Sequence, residues 1–151
     1  MNKHRVEIAL CFTENRCCGF IDEEPFVLMN IENFSEQQKQ ALLDLVILAM
    51  YADGHLAKLE DGRVHLLLGS LGFKTKFERD QQYDASVTRV TRHSLTAVAA
   101  RGHAAALAAI FTTREQRQRV QEILEEIVIT DSHVSLQEDN LMSVVSEELQ
   151  K

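Results

Sequence analysis

Proline occurs once in the 151 residues, at Pro25, and glycine only six times. So few chain breakers, beside long stretches of Ala, Leu, Gln, Glu and Arg, favour helix over sheet. Cysteine is also scarce. Cys11, Cys17 and Cys18 are odd in number and crowd one end, which excludes a disulfide framework. They lack the Cys-x2–4-Cys spacing of zinc sites, so they read as small apolar residues rather than a thiol metal site with His4. No basic start followed by an apolar stretch marks a secretory signal. The longest apolar run is interrupted by Asp44 and is too short to cross a bilayer, so a cytoplasmic protein is expected. There is no HExxH motif, no phosphate-binding glycine loop and no nucleophile–base pair, so the chain is not expected to be an enzyme.

Hydrophobic residues make up 45% of the chain, enough for a core that needs no disulfide or metal to fold. The net charge of −7 disfavours nucleic acid and anionic lipid and favours cations. Arg114, Arg117 and Arg119 form no basic stripe, being interleaved with Glu115 and glutamines.

Residues 1–34 read as an N-terminal extension and 35–151 as one helical domain. Val6, Ile8, Leu10 and Phe12 alternate, which fits a small β-hairpin, with an amphipathic helix as the alternative. Ser35 with Gln38 predicts a capping box and a helix to about Ala52, apolar nearly all round and therefore buried. A second helix is expected from about Lys58 to Leu71, closed by Gly72. Residues 77–93 are helical in pattern. The alanine-rich "SLTAVAARGHAAALAAIF" (94–111) reads as core, in one helix or a pair kinked at Gly102. Thr113 with Gln116 opens a helix to about Thr130, and Ser135 with Glu138 opens the last, to Leu149.

A shift of 78 residues aligns Asp53 with Asp131, His55 with His133, Glu60 with Glu138 and Asp61 with Asp139. Leu42, Leu45, Val46, Ala49 and Met50 then fall on Val120, Ile123, Leu124, Ile127 and Val128. Val64, Leu66, Leu67 and Leu71 fall on Met142, Val144, Val145 and Leu149. The pattern predicts a duplicated helix–turn–helix hairpin related by a pseudo-twofold axis. In each copy an Asp ends one helix and a Glu lies in the first turn of the next, so one cation could take oxygens from both. If the turns met, four carboxylates would share a site, and such crowding favours a bound cation. Oxygen donors suit Mg²⁺, Ca²⁺ or Mn²⁺, and the histidines tilt the choice toward Mn²⁺ or Zn²⁺. The candidate ligands are Asp53, His55, Glu60, Asp131, His133 and Glu138. An EF-hand is excluded, because positions three, five and twelve from Asp53 are His55, Ala57 and Val64. The same acids also suit ordinary roles: Glu138 as partner of Ser135 in a capping box, Glu60 and Asp61 near a helix N-terminus, Asp53 in a turn. His65 has Ser143 as its counterpart, and His4, His93 and His103 have no visible companions.

"MYADGHLAKLE" resembles the signature of TerB-like domains, the tellurite-resistance family, through Ala52, Asp53, Gly54 and Glu60. "ITDSHVSLQE" is similar to that family's second copy through Asp131 and Glu138, although Thr130 and Ser132 stand where Ala and Gly are common. The resemblance covers roughly residues 35–150. It implies an all-α bundle of about seven helices with internal pseudo-symmetry, acidic residues suspected of metal binding, and a bacterial stress-response role. Because such domains occur fused to many proteins, it does not fix a cellular task. The expectation is a noncatalytic, metal-binding module acting through protein partners, with homo-oligomerisation open. The alternatives are a metal-dependent hydrolase and a purely structural interaction domain whose acids cap helices.

Overall fold

The structure is a computed structural model that describes residues 31–51, 62–129 and 136–151, with backbone alone at 128–129 and 136–138. Ile31–Lys151 forms one compact unit. Among the described residues there are six helices and no strand: α1 (Glu36–Tyr51), α2 (Gly62–Ser70), α3 (Lys76–His93), α4 (Ala97–Ala108), α5 (Arg114–Ile129) and α6 (Leu136–Leu149). The described residues are therefore all helical in their regular structure, as the all-α expectation has it, and six of the roughly seven expected helices fall among them. The expected N-terminal hairpin lies outside the described residues.

α1 sits at the centre because its sequence allows nothing else. Every residue from Ala41 to Ala49 is buried, including Asp44. A helix without a polar face must be covered on all sides, and α3, α4, α5 and α6 all pack against it. α4 and α5 also pack on α6, and α3 on α2 and α4. The buried residues include Leu42, Leu45 and Val46 of α1, Val64 and Leu67 of α2, and Val120, Ile123 and Leu124 of α5.

The helix ends follow local chemistry. Ser35 Oγ accepts the Gln38 amide at 3.2 Å, and Gln38 Oε1 accepts the Ser35 amide at 3.0 Å, closing the expected capping box. Thr113 and Gln116 repeat it at 3.2 and 3.5 Å. Thr75 and Glu78 make a third box at the start of α3, and the hydrogen bonds from Thr75 hold the Glu78 carboxyl below its ordinary pKa. Gly72 ends α2 with φ +108°, and the Phe73 amide bonds back to the Leu68 carbonyl at 3.1 Å. Only glycine takes that φ without strain. α4 runs unbroken through Gly102 as one helix, not a kinked pair.

α1 and α5 each span 16 residues and start 78 apart. Their N-terminal turns meet. Gln38 Nε2 donates to Gln116 Oε1 at 3.0 Å, and Gln116 Nε2 donates to Gln38 Oε1 at 3.1 Å. Each amide nitrogen also donates across to the other segment's loop, Gln38 to the Ile110 carbonyl at 3.4 Å and Gln116 to the Asn33 carbonyl at 3.2 Å. Phe34 and Phe111, just before the two caps, meet in a tilted arrangement with ring centroids 5.5 Å apart and planes 52° from parallel. Leu42, Leu45, Val46 and Ala49 are buried, and so are Val120, Ile123, Leu124 and Ile127 at the positions 78 further on.

The glutamine pair is expected to be strongly coupled. Gln38→Leu or Gln116→Leu alone should cost about 1–3 kcal/mol, because each leaves a part-buried amide unmatched. The double variant should cost less than the two single losses together, with a coupling of about 1 kcal/mol. Urea unfolding of the four proteins measures it.

Candidate functional site

The six candidate ligands, Asp53, His55, Glu60, Asp131, His133 and Glu138, lie outside the residues whose side chains are described. Glu138 falls within the α6 backbone, and the others fall in 52–61 and 130–135. The elements on either side are in place. Tyr51 ends α1 two positions before Asp53, and Asn140 lies in α6 two positions after Glu138. Tyr51 and Asn140 line the same cavity, of about 290 Å³, together with Leu48, Ala97, Arg101 and Leu141. Residues next in sequence to both motifs thus share one depression. Among the described residues, no group of three or more His, Cys, Asp or Glu side chains could hold a metal ion.

A different cluster is fully visible, and it was not foreseen. Asp44 is 3% exposed in the middle of α1. Its two oxygens take a fork from Arg89 of α3, with Nε to Oδ2 at 3.0 Å and Nη2 to Oδ1 at 2.8 Å. Ser86 Oγ adds a third bond to Oδ1 at 2.5 Å. A planar guanidinium matches a carboxylate in this bidentate way, and lysine does not. Ser86 and Arg89 are three apart, so they share one face of α3 and reach the same carboxylate. The lone acid inside "LLDLVILAM" was the available signal, because an acid buried by its apolar neighbours needs a cation.

Beside the cluster, His93 of α3 and His103 of α4 stack with ring centroids 4.7 Å apart and planes 26° from parallel. Two of the three histidines without visible companions in the sequence, His93 and His103, are each other's. Burial pushes the His103 pKa below the ordinary 6.5, and the His93 charge adds to this, while Asp44 pulls the other way. His103 Nε2 is buried without a hydrogen-bond partner among the described residues, as is the Tyr83 hydroxyl. Burial, reinforced by Asp84, raises the Tyr83 pKa. Asp44 has its oxygens engaged by Arg89 and Ser86 and is shut from solvent. Its chemistry is that of a clamp between α1 and α3, not of an acid or base meeting a substrate.

Two outcomes follow from this geometry. Asp44→Ala should destabilise the domain by about 2–4 kcal/mol in urea unfolding, toward the lower part of the range for buried pairs because the Arg89 side chain is 31% exposed. For His103, the folded pKa lies below the unfolded value, so the unfolded chain binds the proton first as pH falls. Stability should be unaffected by this group above about pH 6.5, should fall below it, and should level off beneath the folded pKa. His103→Phe should flatten that part of a stability–pH profile while His93, Asp44 and Arg89 remain.

In comparisons with known proteins, no family model, no curated protein and no solved structure matches the chain.

Proposed function

We propose that the domain is a noncatalytic, TerB-like module that binds a divalent cation and acts through protein partners, as in stress-response systems of the tellurite-resistance kind. The observation that carries the reading is the equivalence of α1 and α5: equal length, a 78-residue offset, matched capping boxes and a reciprocal Gln38–Gln116 bond. The acid motifs follow those helices at the same offset. This supports a duplicated hairpin, and with it a functional origin for the paired acids. The donor set, four carboxylates and two imidazoles, suits Mg²⁺, Ca²⁺, Mn²⁺ or Zn²⁺. Asp53 and Glu60 would form one half of the site, and Asp131 and Glu138 the other half or a weaker second site, with His55 and His133 as added ligands. No helix among the described residues is long and apolar enough to cross a membrane. The net charge of −7 supports a partner other than nucleic acid.

One observation favours a second reading, that of a structural interaction domain without metal. α1, α3 and α5 each open with a side-chain capping box, so Ser135 and Glu138 would suit the same purpose at α6. A metal-dependent hydrolase has less support, since the carboxylate of the visible polar cluster, Asp44, is buried and engaged by Arg89 and Ser86.

Replacing Asp53 or Asp131 by Asn separates these readings. With a cation site, the parent binds Mn²⁺ or Ca²⁺. Asp53→Asn abolishes that binding and leaves the metal-free fold as stable or more so, because crowded carboxylates lose a repulsion. Asp131→Asn weakens it less, since Ser132 departs from the family-like turn that Gly54 keeps. With a cap or turn alone, no metal binds and the change costs about 1 kcal/mol. Isothermal titration and urea unfolding of the apo proteins read both quantities. An absence of turnover on a phosphoester panel is the expected result against the hydrolase.

A further inference from the structure

The alanine-rich segment was expected to be core, but only one face of it is. Ala104, Leu107 and Ala108 of α4 are buried against the bundle. On the opposite side Leu95 is 82% exposed and Val98 72% exposed. Ala99, Gly102 and Ala106 continue that line, also exposed and at helical spacing. A Cβ built at Gly102 would meet nothing within 4 Å, so another backbone can come close there. The N-terminal end of the line opens into the cavity of about 290 Å³, whose walls include Leu48, Ala97, Ala100 and Leu141. That space suits one large apolar side chain.

Charge identifies what would lie on this face. The chain has 23 acids against 16 bases, yet residues 85–114 contain no Asp or Glu at all. Arg89 is committed to Asp44. Arg92 and Arg101 are exposed and have no ion-pair partner among the described residues, and Arg101 lines the cavity. The acid-free segment of an otherwise acidic protein thus carries an exposed apolar stripe together with two exposed arginines, one of them at the cavity. A second copy docked α4 on α4 about Gly102 would bring two Arg101 side chains together. A flat lipid surface would leave the cavity unused.

We propose that the exposed face of α4, with the cavity at its N-terminal end, is a docking site for an acidic amphipathic helix, whose large apolar side chain enters the cavity and whose carboxylates meet Arg92 and Arg101. Twelve residues give α4 a length of about 18 Å, enough for an i, i+3, i+4, i+7 set of anchors. The inference specifies the partner in the reading above and rests on its protein-binding half alone. Cation titration and peptide binding can therefore succeed or fail separately.

The test uses the full chain and a fluorescent designed helix of roughly 18 residues, with Leu at the anchor positions and Glu beside them. Its control has Lys in place of each Glu. Saturable binding is expected, with amide shifts confined to α4, the α3–α4 turn and the cavity walls. Val98→Asp and Arg101→Glu should each weaken it by roughly tenfold or more. Both side chains are exposed, so thermal unfolding should match the parent. The proposal is overturned by equal binding of the Lys peptide, by no shifts at millimolar peptide, or by shifts elsewhere. It is equally overturned if these two variants instead abolish a dimer seen in sedimentation or binding to phosphatidylserine vesicles.

Discussion

The architecture depends on the neutralisation of one buried charge. α1 is buried without a break from Ala41 to Ala49, and Asp44 lies within that stretch. An ionised carboxylate there would be prohibitive alone. Arg89 and Ser86 make it tolerable, and they can do so only if α3 lies alongside α1 in one register. The pair is weak evidence for stability as such, since an apolar replacement of all three groups could pack as well. Its consequence is specificity of placement. A helix with apolar residues on every side could rotate about its axis at little energetic cost, and the fork to Arg89 selects one orientation. That orientation also brings the Asp44 charge within reach of His103, and so couples α4 to the same centre.

The glutamine pair sets a second constraint at the N-terminal turns of α1 and α5. Gln38 serves its own helix cap and the opposite segment at once, and Gln116 does the same. Each side chain is used to its capacity, which ties the start of α1 to the start of α5. The cap signals were legible because Ser-x-x-Gln and Thr-x-x-Gln are local patterns. Their mutual bond was not, because nothing local says that two caps 78 residues apart will face each other. The sequence shift of 78 pointed to equivalent hairpins, and the burial of Ala49 and Ile127 at equivalent positions fits that pattern. The six acids and histidines it singled out fall outside the described side chains, so their legibility rests on spacing alone.

Other features escaped the sequence for identifiable physical reasons. His93 and His103 stack across two helices, a contact that depends on the turn between α3 and α4 and not on spacing. The alanine-rich segment was read as core because Ala and Leu are compatible with burial, but composition does not say which face is buried. In α4 small apolar residues occur all round, so the usual polar mark of a solvent face is missing. Charge does not mark that face either, since acids are absent throughout 85–114, on either side of the helix.

This distribution bears on how the two proposed binding functions would affect each other. The cavity is bordered by Tyr51 and Asn140, which neighbour the acid motifs in sequence, and by Arg101 and Ala97 of the basic, apolar face. On the cation reading proposed above, a metal held by the motifs would remove negative charge from a chain whose proposed partner carries charge of the same sign. Nearby like charge penalises an anionic ligand, and its neutralisation favours one. Coupling of this kind is reciprocal, so a docked acidic helix would in turn strengthen cation binding by the same factor. A domain with no catalytic constellation among its described residues could respond to an ion in this way, by changing what it binds instead of what it converts.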